Sequence, residues 1–188
     1  MLSILGGVLV RHLYTAVLVA VLTLTAVPAA HAQSWRGSDP AHDHVPSTGE
    51  NYRGLGDVVG VEVANAPKSV FAHTRFRVGL YDELTINYDT RKARRGPEFY
   101  LYKTAYGVTL WSTAGTRDKQ VTCADKRMWR EGRVWKSRVN RNCLTWNGKR
   151  PGAVRVQILS ADETYYNAVD YAPGRRPGQA WTPWLKRG

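Results

Sequence analysis

"DVVGVEVANAPKSVFAHTRFRVGL", residues 57–80, is the stretch that decides the fold. In VVGVEVA (58–64), Val59, Val61 and Val63 fall on one face. In SVFAHTRFRVGL (69–80), Val70, Ala72, Phe76, Val78 and Leu80 share a face, with His73, Arg75 and Arg77 opposite. Alternation of period two belongs to a β-strand with one side buried. Ala66-Pro67 interrupts both runs as a turn, so the stretch predicts an antiparallel hairpin.

The same alternation continues on the C-terminal side. It predicts strands over 84–89 (Leu84, Ile86 and Tyr88 inward), 98–104, 106–113, 120–125, 133–140 and 153–159. Helix signals are confined to NRNCL (140–144), enough for one turn. The prediction is therefore an all-β protein: a single antiparallel β-sandwich of about 7–9 short strands over residues 56–188. Its tail, DYAPGRRPGQAWTPWLKRG (170–188), is rich in Pro and Gly and is expected to wrap the domain without adding a strand. Residues 33–55 carry Gly, Pro, Ser and Asp with no apolar period, which predicts a flexible leader.

Residues 1–32 have the organisation of an export signal. Arg11 and His12 precede the apolar run LYTAVLVAVLTLTAV (13–27), and Ala30-His31-Ala32 is a small-x-small cleavage site before Gln33. The 15-residue run is shorter than the roughly 20 residues of a spanning helix. An uncleaved anchor is the alternative, and no second apolar run follows. Cleavage would remove Arg11 and no acid. That leaves 26 Lys and Arg against 15 Asp and Glu over 156 residues, a net charge of +11. Such a charge attracts anionic surfaces: wall polymers, lipid headgroups, acidic glycans, nucleic acid. Cys123 and Cys143 are the only cysteines, and in an exported chain the pair predicts a disulfide, stabilising by about 3 kcal/mol.

The most unusual local feature is YDTRKARRGPEF (88–99), in which Arg91, Lys92, Arg94 and Arg95 lie between two strands with Asp89 and Glu98 at the rims. Two acids enclosing four cations make no calcium loop, because calcium needs several oxygens close together and the cations would repel it. Asp89 and Glu98 are expected to pair with loop arginines and brace the hairpin. Nearby, Tyr100 and Tyr102 share a face opposite Phe99 and Leu101, and Trp111 points away from Val108 and Leu110. Tyr and Trp on the outside of a sheet are suited to stacking on sugar rings or unpaired bases.

Catalytic signals are few. His42 and His44 flank Asp43 in the leader and make too few ligands for a metal site. His73, with Arg75 and Glu62, is the one set that could imitate the acid/base and phosphate-binding groups of a nuclease. The sequence contains no Gly-x-Ser-x-Gly elbow, no His-Glu-x-x-His and no Walker pattern.

INYDTRKARRGPEFYLYKT (86–104), the 57–78 hairpin, VNRNCL (139–144) with Cys123, and the DYAPG and WTPWLKRG segments together resemble small secreted β-sandwich proteins of unknown function from high-GC Gram-positive bacteria. They are distantly similar to family-9-type carbohydrate-binding modules and DOMON domains. The resemblance implies a sandwich with a carbohydrate-binding-like role. Arg91 stands where that pattern has a second acid, and Glu98-Phe99 where it has Asp-Tyr, so no ion site at this loop follows.

The sequence reading is thus an exported, non-catalytic binding domain for glycan or anionic wall polymer. It calls for no cofactor, no metal, no specific nucleic acid and no membrane span in the mature chain. Candidate ligand-binding residues are Tyr100, Tyr102, Trp111, Arg91, Lys92, Arg94 and Arg95. A nuclease-like hydrolase using His73 and a purely structural domain are the competing expectations. Exposure of the aromatic row separates the first reading from the third.

Overall fold

The hairpin of residues 57–80 forms the centre of one of two antiparallel sheets. The structure, a computed structural model, describes residues 32–43, 45–46, 56–79, 83–94, 96–162, 168–174 and 180–188. All of the export segment except Ala32 lies outside the described residues, as do His44, residues 47–55, Leu80 and Arg95.

Thirteen strands are described. They are β1 (Gln33–Ser38), β2 (Val45–Pro46), β3 (Val58–Asn65), β4 (Ser69–Phe76), β5 (Glu83–Asp89), β6 (Phe99–Thr104) and β7 (Gly107–Ser112), followed by β8 (Lys119–Gln120), β9 (Lys126–Glu131), β10 (Val134–Asn140), β11 (Ala153–Asp162), β12 (Ala168–Ala172) and β13 (Leu185–Lys186). The first sheet has the order β1-β3-β4-β10-β9; the second has β2-β12-β11-β5-β6-β7-β8, with β13 also pairing β11. One continuous apolar cluster draws Val61, Val63, Val70, Ala72, Phe76 and Val139 from the first sheet. The second supplies Leu84, Ile86, Tyr88, Leu101, Leu110 and Val156, among others. The all-β sandwich expected from the alternation is what the chain forms. Each fully buried Leu, Ile or Phe contributes about 1.5–3 kcal/mol relative to exposure.

The strand expected over 120–125 forms only at its first residue, in β8, and Lys126–Glu131 pairs with β10 as β9 instead; four further departures have local causes. The face of β3 is Val58, Val61 and Val63, with Val59 turned partly outward, because the register against β4 shifts between Val58 and Gly60. Such a bulge adds one residue to the strand and breaks strict alternation. Val78 is 43% exposed because β4 ends at Phe76. The leader is not wholly irregular: Gln33–Ser38 is strand β1, paired antiparallel with β3. Trp35 is partly buried against the core, and its ring lies so close over Gly37 that a Cβ there would sit 2.3 Å from it. The tail also adds strands, β12 and β13. Between them Thr182 exchanges hydrogen bonds with Val156, its N–H donating to the carbonyl (2.9 Å) and its Oγ1 accepting from the amide (2.9 Å). The tail thereby completes the β12 side of β11.

The single helical turn is a 3-10 turn over Arg141–Leu144, capped by the Asn140 side chain, which accepts from the Asn142 amide (2.9 Å). Cys143 in this turn is bonded to Cys123, which precedes β9. Cys143→Ala is expected to destabilise the protein by about 2–5 kcal/mol in urea melts. A change below 1 kcal/mol would show that the turn is held by packing alone.

Candidate functional site

At the basic loop of residues 88–99, β5 delivers Asp89 and β6 begins after Glu98. Asp89 is fully buried. Its Oδ2 accepts from Arg155 of β11, Nε at 2.7 Å and Nη2 at 2.6 Å, and its Oδ1 accepts from the Arg91 amide (3.2 Å). Glu98, 1% exposed, accepts from the Thr90 amide (2.8 Å) and hydroxyl (3.0 Å). Burial pushes its carboxyl above the usual carboxylate range, against those two hydrogen bonds. Both acids accept hydrogen bonds at the hairpin base; among the described residues the side chain that pairs with Asp89 is not one of the loop's. The partner of Asp89 comes from β11, directly opposite in the register, where a strand residue costs less entropy to fix than a loop one.

The loop cations are placed individually. Arg91 lies 5.9 Å from the Trp146 ring centroid and Lys92 5.7 Å from that of Trp184. Arg94 is exposed and donates to the Ala114 carbonyl (2.8 Å). Arg155 stands 4.8 Å from Trp181 and 5.1 Å from Trp184. Beneath Arg91 is a hollow of about 360 Å³ lined by Trp146, Lys149 and Arg150 among others, with no carboxylate in its lining. Trp146, Trp181, Trp184 and Arg155 were not singled out by sequence; only the register and the tail's path bring them to the loop.

The aromatic row is formed as the alternation implied. Tyr100 and Tyr102 of β6 and Trp111 of β7 are half-buried on the outer face of the second sheet. Tyr100 pairs across the strands with Trp111 on one side and Asn87 on the other. The Tyr100 and Trp111 rings stack, their centroids 6.3 Å apart and planes within 9°. Their polar ends are tied down: Tyr100 Oη donates to Asp118 (3.1 Å), Trp111 Nε1 to Thr109 Oγ1 (3.0 Å), and Tyr102 Oη to Glu83. Burial and the Asp118 carboxylate hold the Tyr100 hydroxyl in its protonated form by raising its pKa. Thr85, Asn87 and the three rings enclose a shallow hollow of about 410 Å³, within the size range of small-ligand sites. Asp89 and Arg155 are two residues further along β5 and β11 on the same face, roughly 7 Å away by strand geometry. Aromatic row and cationic end therefore form one strip.

On the outer face of the first sheet, register aligns Arg36, Glu62, His73 and Lys136 in one transverse row. His73 Nδ1 is 4.0 Å from Glu62 Oε2, beyond hydrogen-bond reach, while Arg36 Nε donates to Glu62 at 3.2 Å. That hydrogen bond is the largest influence on Glu62, holding its carboxyl below the usual range. Arg75 lies over Gly60, and these residues outline an open hollow of about 310 Å³.

Sequence reasoning missed a fourth feature entirely. Asp39 and Asp43, which follow β1, and Asp170 of β12 each offer an oxygen within 4.8 Å of the others. Asp57 is close by and paired with Arg77 Nε (2.6 Å). Burial, followed by the charges of Asp39, Asp43 and Asp57, pushes the Asp170 carboxyl up to about 7. His42 is exposed and meets this group through its amide, which donates to Asp57 (3.1 Å).

Removing one partner of a buried pair costs about 3–5 kcal/mol. The Arg155 side chain keeps 28% exposure, so Asp89→Asn is expected to cost roughly 2–4 kcal/mol. Arg94→Ala, which removes one exposed contact, should stay within about 0.5 kcal/mol. Chemical denaturation of the two variants measures the contrast, and equal losses would remove the special role assigned to Asp89.

Comparison of the chain with protein-family models, with curated proteins and with solved structures gives no match.

Proposed function

We propose that the protein is an exported, non-catalytic binding domain that recognises an anionic glycan or wall polymer along the outer face of its second sheet. The observation that carries this reading is the strip itself. A stacked Tyr100–Trp111 pair with Tyr102 lines a hollow of about 410 Å³, and Arg155, Lys92 and Arg91 continue it against Trp181, Trp184 and Trp146. Sugar rings present apolar C–H faces to aromatic rings, and their acidic substituents suit guanidinium and ammonium groups. Half-buried rings whose polar ends are already bonded lose little further entropy on binding. Among the described residues, no helix is long and apolar enough to cross a membrane.

A purely structural role for the aromatics fits less well. Trp35 and Trp135 do pack against the core, whereas Tyr100, Tyr102 and Trp111 face outward and retain exposure.

The test uses retention on immobilised heparin and polygalacturonate, with uncharged dextran as control. Trp111→Ala should weaken binding about tenfold, equivalent to about 1.4 kcal/mol. Lys92→Ala combined with Arg94→Ala should flatten the salt dependence while leaving thermal stability nearly unchanged, since exposed charges contribute ~0–1 kcal/mol. Equal retention of wild type and Trp111→Ala would sink the reading, and preference for single-stranded RNA over either glycan would replace it with nucleic-acid binding.

The His73 row gives the hydrolase reading one specific support: Glu62, His73, Arg75 and Lys136 border a single hollow. Two facts weigh against it. Glu62 is beyond hydrogen-bond distance of His73 and so does not orient its imidazole, and its carboxylate is engaged instead by Arg36, whose hydrogen bond holds it below the usual carboxylate range. Purified protein is therefore expected to leave RNA intact. Cleavage abolished by His73→Ala would overturn the non-catalytic assignment.

A further inference from the structure

Four aspartates, Asp39, Asp43, Asp57 and Asp170, lie close together beside β3 and β12. Asp39, Asp57 and Asp170 are 5%, 0% and 2% exposed. Burying carboxylates is costly unless opposite charge or hydrogen-bond donors replace the lost water. Asp57 is supplied by Arg77 and the His42 amide, and Asp39 accepts from the Gly174 amide (2.5 Å). Asp170 is less well supplied. Its Oδ2 accepts from the Val58 amide (2.7 Å), while its Oδ1 is buried without any donor. Asp170, 2% exposed, thus brings to the group it shares with Asp39 and Asp43 a buried acceptor that no protein donor satisfies.

The distances fit one ion. Calcium is bound by oxygens at about 2.3–2.6 Å, so ligands on opposite sides of it stand roughly 4.8 Å apart, and three oxygens within 4.8 Å of one another can all reach one centre. We propose that Asp39, Asp43 and Asp170 hold a calcium ion, with Asp57 contributing its charge from behind. The ion is structural: Asp39 and Asp43 follow β1 of the first sheet and Asp170 is in β12 of the second, so it ties the two sheets together at this edge. An oxygen-only, carboxylate-rich set selects calcium over the softer transition metals. Magnesium would require opposite oxygens to close to about 4.2 Å.

The experiment compares the wild-type full chain in EDTA, in calcium and in magnesium by thermal melting and titration calorimetry. Extracellular calcium modules have Kd values of about 10⁻⁴–10⁻³ M. At 10 mM calcium, about a hundred times the lower value, Tm should rise by roughly 5–10 °C over EDTA, with about one ion bound per chain. Asp43 is only half-buried, so Asp43→Asn should fold and lose both the calcium heat and the Tm shift, as should Asp170→Asn. Glu131→Gln, on the outer face of the first sheet, should lose neither. Identical wild-type melts in calcium and EDTA overturn the proposal regardless of how the variants behave. Calcium binding undiminished in Asp43→Asn overturns it equally, because the ion is then held elsewhere.

Discussion

The pair between Asp89 and Arg155 is the constraint on which the second sheet's outer face depends. A buried carboxylate loses several kcal/mol of hydration, and here a two-pronged guanidinium contact offsets that loss. The pair fixes more than charge. It locks the register of β5 against β11 at Arg155↔Asp89, and it holds the guanidinium where Trp181 and Trp184 can pack over it. Those rings lie over the guanidinium, which keeps 28% exposure, and Trp184 in turn receives Lys92 from the loop. Loop, tail and sheet are thus coupled through one side chain, and among the described residues the base of the loop is held by a strand-borne ion pair.

The two outer faces solve the problem of excess positive charge differently. On the first sheet, cations are matched by acids across the strands: Arg36 with Glu62, Lys136 with Glu131, Arg138 with Asp125. Such exposed pairs contribute little individually, but they lower the local field. At the loop end of the second sheet, Arg91 and Lys92 meet aromatic rings instead, and no carboxylate lines the hollow below Arg91. A cation over a ring keeps its full charge toward solvent. At this end the loop's Arg91 and Lys92 are therefore set against rings, with the Asp89 carboxylate engaged by Arg155.

Much of the fold was legible because it rests on short-range pattern. Leu84, Ile86 and Tyr88 alternate in sequence and are all buried, and Tyr100, Tyr102 and Trp111 fall outside for the same reason. What was not legible depends on partners distant in the chain. QSWRGS has little strand propensity of its own and becomes β1 through pairing with β3 and the packing of Trp35 over Gly37. The tail's Thr182 acquires strand-like hydrogen bonds only because β12 leaves part of β11 uncovered. The bulge between Val58 and Gly60 defeats a count by twos. Asp89 pairs with Arg155, a partner 66 residues away that no local pattern points to. The aspartate group joins residues more than 100 positions apart, and no spacing rule reaches that far.

The layout also determines what each part of the surface can discriminate. The sequence's formal net charge of +12 attracts any polyanion, but beyond ~8 Å that attraction is screened at physiological salt. It brings ligands near without sorting them. Sorting must come from groups that are close, ordered and shaped, and on this face those are the Tyr100–Trp111 pair and Tyr102, whose polar ends are already bonded to the sheet. Arg155 adds direction to that strip because its guanidinium is fixed by Asp89, whereas Arg94 is anchored only to a backbone carbonyl. A ligand that satisfies both has a ring-like apolar face and an anionic group about one strand repeat of roughly 7 Å away. A flexible chain of acidic sugars meets that requirement more readily than a lipid headgroup, which offers the charge without the ring.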